Sequence, residues 1–451
     1  MGRGRRHRRQ RRDGNSELLA DTWRDRISEL LADTRRDRIS ELPADILDKI
    51  LVLLTTVEAA RLAVLSTHWR NVWLNLTELD FGHDFFCHIR KKYDHDEKEN
   101  IDICTSMSFY VINKVLMQHN GVIRKFAFNF PFSTAKEFSY RSFGFDQWLP
   151  FVTQNGVEEI DISVSDEGEY KLPKCIFSCL TLRSLRLNGI SVEPLNAHCT
   201  LPNLTSLCFE SINFDGGDLL PNVPMLDSLS FVLCETESEI NITAQKLSSL
   251  AITSIFVRQL SVNLGLESVR TLELDCTSLE DFVDRLTGSG LQQQPPTLNV
   301  EHLMLSNNYG DVDDDISEDI SDAFIHLLRI CPKLCQLDID LEFSPVACNC
   351  FFDPERRHFK EFHAVTQRHK LLQTLNLNSF RGAYTETLFI MVLLDSFLAL
   401  EKVVITPARS MAVCYEDAEY EYFDFETHKL ELLDFHCAST KAKIIFSSKN
   451  P

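Results

Sequence analysis

One pattern of side chains, apolar-x-x-apolar-x-apolar, returns along most of the chain. Its eleven copies begin at residues 123, 157, 182, 204, 226, 247, 269, 300, 334, 372 and 400. The steps from 157 to 269 are 25, 22, 22, 21 and 22 residues, and the four later steps are 31, 34, 38 and 28. Chance supplies a few such hexamers in a long chain, but it does not supply eleven with five even steps. The pattern therefore predicts a repeat architecture.

A period in the twenties with this hexamer is the signature of leucine-rich repeats. Each copy predicts a short strand whose alternate apolar residues point inward. A single repeat cannot bury these residues, so neighbouring repeats stack into a curved solenoid of parallel strands. The longer steps predict return helices over Ile316 to Ile330 and Leu388 to Leu398. The predicted fold class is therefore α/β.

A second constraint lies before the repeats, in the stretch from Asp37 to Leu79, which predicts three short helices. Pro43 fits the first position of the first helix, where no backbone donor is needed. Thr55 and Glu58 have the spacing of a capping box for the second helix, and Ser66 can cap the third. The first helix carries an apolar stripe formed by Ile46, Leu47, Ile50, Leu51 and Leu54.

Such a short stretch cannot bury this much apolar surface alone. Either it packs on the rest of the chain, or it docks with the helices of another protein. The order and spacing of its residues resemble the F-box, the module that binds the Skp-type adaptor of a cullin-based ubiquitin ligase. The matching residues are Asp37 to Pro43, Ile46, Leu47, Ile50, Leu51, Ala59, Arg61, Val64 to Ser66, Trp69, Arg70 and Trp73. Thr67 and His68 stand where such modules usually carry a basic pair.

The resemblance implies binding to a Skp-type adaptor and, through it, to a cullin. We expect the adaptor contacts to come from the apolar residues of the module. They are Leu42, Pro43, Ile46, Leu47, Ile50, Leu51, Val64, Leu65, Trp69 and Trp73. Some of these residues must also form the core of the module.

The C-terminal part is similar to the FBD region of plant F-box/leucine-rich-repeat proteins, and with the F-box and repeats the resemblance spans residues 37 to about 445. The residues that carry this similarity are Leu372, Leu375, Leu377, Phe380 to Gly382, Glu386, Phe389 to Leu394 and Leu400 to Ile405. The expected organisation has six segments. They are an Arg-rich tail and leader (1–35), the F-box (36–82), a linker and helix (83–119), the repeats (120–355), the FBD-like region (356–446) and a tail (447–451).

Charge is unevenly spread along this chain of net charge −20, because the first twelve residues hold seven arginines and no acid. The tail is either simply solvated or a nuclear import signal or weak RNA contact. The leader repeats twelve residues, SELLADTWRDRI at 16 and SELLADTRRDRI at 28. Because the body is strongly acidic, nucleic-acid binding is not expected there, and basic partners are favoured.

Residues between the repeat leucines are expected on the concave face of the solenoid. Most of these side chains are acidic, so a basic client protein could lie there. The candidate client-binding residues are Glu159, Asp161, Glu210, Glu273, Asp275, Asp338 and Asp340. Arg186 is the basic exception, and ordinary solvated charge is the alternative interpretation.

Signals for other chemistry are weak. The acidic run from Asp311 to Asp322 lacks the sixth-position glycine and the final glutamate of a calcium loop. His83, His88 and His95 lack metal-ligand spacing with cysteines, so residues 83–105 are expected to be a linker or surface loop. The fourteen cysteines indicate reduced thiols. No membrane span, metal, cofactor or catalytic residue is expected.

Taken together, these features predict a non-catalytic substrate receptor of a Skp–cullin–F-box ubiquitin ligase, located in the nucleus, the cytoplasm or both. Two other functions stay open. One is a non-degradative scaffold that binds the adaptor without recruiting a cullin. The other is a sensor that binds a small ligand in the repeats.

Overall fold

The computed structural model describes residue 39 and residues 41–93, 101–131, 142–164, 170–192, 200–214, 223–236, 244–253, 256–257, 266–288, 297–306, 318–341, 357–408 and 425–447. Two compact units are present. The first is Met1–Thr77 with Gln118–Gly121, and the second is Glu78–Met117 with Val122–Pro451. The Arg-rich tail, the leader and most of the acidic run from Asp311 to Asp322 lie outside the described residues.

Three short helices form the first unit, as the sequence predicted. They are α1 (Ala44–Val52), α2 (Thr56–Leu62) and α3 (Thr67–Trp73). The predicted capping box is confirmed, because Thr55 Oγ1 accepts from the Glu58 backbone N–H at 3.3 Å and Glu58 Oε2 accepts from the Thr55 N–H at 3.1 Å. Ser66 Oγ caps α3 by accepting from the Trp69 N–H at 3.2 Å.

Pro43 differs from its predicted place at the first helical position. Its ψ of 147° is extended, so it is the N-cap residue of α1. Its carbonyl oxygen accepts from the backbone N–H groups of Ile46 at 3.0 Å and Leu47 at 3.1 Å. The proline ring still fits, because an N-cap needs no intrahelical N–H bond.

The interior of the first unit is small. Among the described residues, its buried apolar side chains are Leu47, Leu51, Ala59, Trp69, Val72 and Leu76. The Asp48 carboxylate ties α1 to the end of this unit, accepting from the Thr77 backbone N–H at 3.1 Å and from Thr77 Oγ1 at 2.8 Å.

The second unit is built on a thirteen-stranded parallel sheet. All eleven hexamers form strands in it, so the repeat prediction is confirmed. The strands are β1 (Glu78–Phe81), β2 (Lys125–Phe130), β3 (Glu159–Val164), β4 (Ser184–Asn188), β5 (Ser206–Glu210), β7 (Ser228–Val232), β9 (Ser249–Thr253), β11 (Thr271–Asp275), β12 (His302–Ser306), β13 (Gln336–Asp340), β14 (Thr374–Phe380), β15 (Lys402–Pro407) and β16 (Lys443–Phe446). A second small sheet contains β6 (Asn213–Phe214), β8 (Glu235–Thr236) and β10 (Phe256–Val257).

Parallel pairing keeps equivalent positions of successive repeats side by side. For example, Leu185 pairs with Leu207 and Leu207 with Leu229. Each of these three leucines is at most 1% exposed. Burying one such side chain contributes about 1.5–3 kcal/mol, so the apolar columns hold the stack together. The alternate positions of each strand form the other face of the sheet.

Helices of the second unit fill the returns between strands. They are α4 (His83–Tyr93), α5 (Ile101–Gln118), α6 (Ser142–Gln154), α7 (Cys276–Gly288), α8 (Glu318–Ile330), α9 (Arg357–Thr366), α10 (Tyr384–Ser396) and α11 (Phe425–Asp434). The predicted helix at 316–330 is confirmed from Glu318, and the helix predicted from Leu388 begins earlier, at Tyr384. No helix among these described stretches is both long enough and apolar enough to cross a membrane.

The linker predicted for residues 83–105 is wrong, since α4 and the start of α5 occupy most of it. Phe85, Phe86 and Ile89 lie on the buried side of α4. The Phe85 and Phe86 rings pack edge-on at 5.2 Å, and Phe86 reaches Phe128 of β2 at 5.8 Å. The charged residues on the solvent side of α4 made this stretch resemble a surface loop in the sequence.

Candidate functional site

Large apolar side chains of the first unit face solvent. Leu53, the C-cap of α1, is 85% exposed, Val64 is 85% exposed and Leu65 is 70% exposed. Leu42 and Ile46 are exposed as well. We call the set Ile39, Leu42, Pro43, Ile46, Leu53, Val64 and Leu65 the apolar surface. Several exposed large apolar side chains on one small helical unit make it a candidate interaction site.

The structure divides the ten predicted adaptor contacts into three groups. Leu42, Pro43, Ile46, Val64 and Leu65 are exposed. Ile50 and Trp73 are half-buried.

The remaining three predicted contacts are corrected. Leu47, Leu51 and Trp69 lie in the interior of the first unit, so they are core residues of the helices rather than surface contacts. The predicted apolar stripe of α1 is therefore divided, because Leu47 and Leu51 face the interior whereas Ile46 is exposed.

Leu53 and Ile39 belong to the apolar surface but are not among the ten predicted contacts. A signal for Leu53 exists in the sequence. It follows Ile46 and Ile50 at i+7 and i+3, which is the spacing of one helical stripe.

The predicted client-binding residues lie on the strands of the second unit. Glu159, Asp161, Glu210, Glu273, Asp338 and Asp340 occupy the alternate positions that stay exposed or half-buried. We call this side of the main sheet the open face.

Asp275 is a correction to the predicted set. Its side chain is only 2% exposed, and its Oδ1 accepts from the backbone N–H of Ser278 at 2.9 Å. This is the geometry of an N-cap for α7, which begins at Cys276. Asp275 therefore stabilises a helix start instead of facing a partner.

Asp338 is held by three neighbours. Its Oδ2 lies 3.0 Å from His302 Nε2, and its Oδ1 accepts from Gln336 Nε2 at 3.0 Å and Asn376 Nδ2 at 2.7 Å. Partial burial alone would raise the pKa of Asp338, but the hydrogen bonds from His302, Gln336 and Asn376 bring it below its usual value. Because of these bonds, its oxygen atoms are largely occupied within the sheet.

Two other acids of the open face have raised pKa values. Burial raises the pKa of Asp161, although the charges of Arg186 and Lys125 oppose the shift. Burial also raises the pKa of Glu273, and the charge of His302 opposes it. A cation placed beside either carboxylate would favour its charged form.

The residues that carry the FBD similarity have a structural role. Oε2 of Glu386 accepts from the backbone N–H groups of Arg381, Gly382 and Ala383 at 2.9, 3.0 and 3.1 Å, at the start of α10. Gly382 has a φ of +84°, and a Cβ there would lie 2.6 Å from Cα of Phe425. A side chain is therefore excluded at this position.

Within the ranges that the structure describes, no group of three or more His, Cys, Asp or Glu side chains is placed to hold a metal ion. Burial raises the pKa of Cys234 and of Cys331 to about 12. These thiols are therefore unreactive at neutral pH.

Family comparisons agree with this geometry. The F-box domain model matches residues 39–80, and the model described as At1g61320/AtMIF1, LRR domain, matches residues 115–282. The first match covers the three helices with the apolar surface, and the second covers strands β2 to β11.

Similar proteins come from Arabidopsis thaliana. F-box/FBD/LRR-repeat protein At1g13570 is 25% identical over 89% of this chain and 96% of its own length. F-box/LRR-repeat protein At2g42720 is 31% identical over 41% of each chain, and FBD-associated F-box protein At4g13985 is 25% identical over 55% of this chain and 54% of its own length. The chain thus spans about half the length, or less, of the last two relatives.

Along the chain, the three helices of the F-box match are followed by the parallel sheet of leucine-rich repeats. The chain therefore contains an F-box match followed by an LRR-domain match, and over most of its length it is similar to a plant F-box/FBD/LRR-repeat protein.

Proposed function

We propose that this protein is the substrate-recognition subunit of a Skp–cullin–F-box ubiquitin ligase. The apolar surface binds the Skp-type adaptor, and the adaptor connects the chain to the cullin. The repeats bind the client protein. The complex brings a client lysine close to a ubiquitin-loaded conjugating enzyme, so the rate enhancement comes from proximity. The chain needs no catalytic residue for this role.

One observation carries the proposal, namely the exposure of Leu53, Val64 and Leu65 on a small helical unit. Each such side chain would contribute about 1.5–3 kcal/mol on full burial. Burial of these side chains therefore favours binding to a partner with an apolar groove, as in helix-in-groove recognition.

The charges beside the apolar surface are mixed. Lys49 in α1 and Arg61 in α2 are exposed, as are Glu41 and Asp45 before and within α1. A rim of both signs around an apolar centre is the usual composition of a specific protein interface. It sets register and partner choice more than affinity.

The test is assembly of the full-length protein with purified adaptor and cullin, followed by size-exclusion chromatography. We expect the wild-type chain to elute with both partners. The Val64→Asp/Leu65→Asp variant should elute alone. Leu371→Asp is the matched control, because Leu371 is 52% exposed and lies in the second unit.

Two results would contradict the proposal. Elution of the double variant with the adaptor would remove the apolar surface from the interface. Elution of the wild-type chain with the adaptor but never with the cullin would support the non-degradative scaffold instead.

A further inference from the structure

The last strand of the main sheet has a free edge. β16 stands at the end of the strand order, and within the described part of the chain only β15 pairs with it. The Lys443 N–H donates to the Glu401 carbonyl oxygen at 3.1 Å, and the Ser447 N–H donates to the Ile405 carbonyl oxygen at 2.9 Å. Because backbone groups alternate between the two sides of a strand, the residues at 444 and 446 direct theirs to the free edge.

These two residues, Ile444 and Phe446, also end the apolar columns of the sheet. They lie in register with Val403 and Ile405 of β15. Val403 and Ile405 are fully buried, whereas Ile444 and Phe446 are only half-buried. A repeat of a solenoid buries its apolar side chains against its neighbours. The apolar columns are therefore still partly uncovered where β16 ends the sheet.

Helix α11 has exposed leucines on the same side. The His428 ring lies 6.2 Å from the Tyr384 ring of α10, so this side of α11 faces the preceding helix. Leu430 is 63% exposed and Leu433 is 49% exposed. With 3.6 residues per turn, they lie about 160° and 140° around the helix from His428. Both leucines therefore point away from α10, in the direction in which a further repeat would stack.

The free edge of β16 complements itself. Two copies of the strand related by a twofold axis at Ile445 run antiparallel, with Ile444 of each copy opposite Phe446 of the other. Each such pair exchanges two backbone hydrogen bonds, so the N–H and C=O groups of the free edge are matched. The half-buried side chains of Ile444 and Phe446 then cover one another across the axis.

The charges at this end of the sheet are compatible with the pairing. In this register Lys443 stands opposite Ser447 of the second copy, so like charges do not face each other. Lys441 and Lys443 are exposed, as are Glu431 and Asp434 of α11. A surface that carries both signs can complement its own copy, whereas a partner of one sign would meet a like charge.

The area that a stable dimer needs requires α11 as well as β16. A specific interface buries about 800 Å² on each partner. An edge strand of four residues cannot supply this area alone. Leu430 and Leu433 add apolar surface beside it, because α11 packs on β16 through the Phe425 and Phe446 rings, 6.3 Å apart.

We propose that two copies of this chain associate through the C-terminal end of the main sheet. β16 pairs antiparallel with β16 of the second copy about Ile445, and α11 packs against α11 through Leu430 and Leu433. The inference goes beyond the proposed function and does not depend on it. The dimer carries two copies of the apolar surface and two open faces.

Sedimentation velocity of the full-length protein over a range of concentrations tests the association. We expect the wild-type mass to rise from one chain to two. Ile445→Lys places two lysines opposite each other on the twofold axis and should weaken self-association at least tenfold. Leu180→Lys is the matched control, because Leu180 is a 61% exposed leucine elsewhere in the second unit. It should leave the dissociation constant within twofold.

Disulfide trapping tests the register. The two copies of position 445 form a non-hydrogen-bonded pair with Cα atoms about 4.5 Å apart, which a disulfide can bridge. The two copies of position 443 are four residues apart along the strands, about 14 Å, which a disulfide cannot bridge. Diamide, which takes up the two thiol hydrogens, should therefore link Ile445→Cys chains at least tenfold more than Lys443→Cys chains.

Wild-type protein treated in parallel gives the background from the fourteen native cysteines. Mass spectrometry identifies the peptides joined at position 445, and circular dichroism checks that each variant is folded. A wild type that stays a single chain at every concentration would overturn the inference. Equal trapping of Ile445→Cys and Lys443→Cys would overturn it as well.

Discussion

His302 Nε2 and Asp338 Oδ2 lie 3.0 Å apart across the neighbouring strands β12 and β13. The carboxylate can only accept, so the imidazole donates this hydrogen bond. Gln336 and Asn376 complete the shell around Asp338. The four side chains come from three successive repeats, and they cross-link the open face where the apolar columns do not reach.

Asp338 should make the repeats sensitive to acid. Its pKa is lower in the folded chain than in the unfolded chain, where it is near 3.8. The stabilisation is therefore present above the unfolded pKa and is lost as the pH falls through the folded value. Urea unfolding at pH 7 and near pH 3 measures this. We expect Asp338→Asn to cost about 1–3 kcal/mol at pH 7 and clearly less near pH 3.

A pH-independent difference between wild type and Asp338→Asn would contradict the assignment. Asp395→Asn is the control, since this exposed carboxyl has no comparable shell among the described residues.

Glu386 should show the opposite pH dependence. Burial raises its pKa, although the backbone N–H groups of Arg381, Gly382 and Ala383 oppose the shift. The protonated form of Glu386 therefore stabilises the folded state. This stabilisation is fully present below the unfolded pKa and is lost as the pH rises through the folded pKa. Glu386→Gln keeps an acceptor oxygen and removes the buried charge. We expect its stability relative to wild type to improve between pH 4 and pH 7.

Glu386→Ala leaves three backbone donors without their acceptor and should cost about 1–3 kcal/mol. Hydrogen exchange of the 381–383 amides reports this directly, and their rates should rise in the alanine variant. Unchanged protection in Glu386→Ala would show that another group satisfies these donors.

Leu229 tests the stacking of the repeats. It is fully buried on β7, next to Leu207 and Leu250. Leu229→Ala should lower the free energy of unfolding by about 2–5 kcal/mol. Ser230→Ala, one residue away on the open face, should change it by less than about 0.5 kcal/mol. If chemical denaturation showed the same loss of stability for Leu229→Ala and Ser230→Ala, the buried face and the open face of the main sheet would not differ as described.

Leu53 should contribute to adaptor binding although it was not among the predicted contacts. Its side chain is 85% exposed at the end of α1. Leu53→Asp should weaken the adaptor complex at least tenfold and leave the melting temperature unchanged. Leu180→Asp, at a leucine 61% exposed in the second unit, is the control. A wild-type dissociation constant for Leu53→Asp would remove this residue from the interface.

Much of the fold could be predicted from the sequence, because each apolar-x-x-apolar-x-apolar hexamer predicts one strand of the main sheet. Leu185 and Leu187 are buried for the same reason as Leu207 and Phe209. The edge strands were missed for different reasons. Leu76-x-x-Leu79-x-Phe81 has the hexamer pattern but lies within residues 36–82, the segment that the sequence analysis assigned to the F-box. In β16, Lys441 stands where the first apolar residue is expected.

The candidate sites were less predictable than the fold, because exposure depends on packing and not on residue type. Leu47 and Ile46 are adjacent apolar residues in α1, yet one is buried and the other is exposed. Asp275 and Glu273 are acids of one strand, yet Asp275 caps α7. A strand pattern cannot show where the next helix begins.

Isothermal titration of the Skp-type adaptor into the full-length protein measures whether the apolar surface is the docking site. We expect Val64→Asp/Leu65→Asp to weaken binding at least a hundredfold while the circular dichroism spectrum and melting temperature stay those of the wild type. An adaptor affinity within twofold of wild type in this folded variant would contradict the claim that the apolar surface is the docking site.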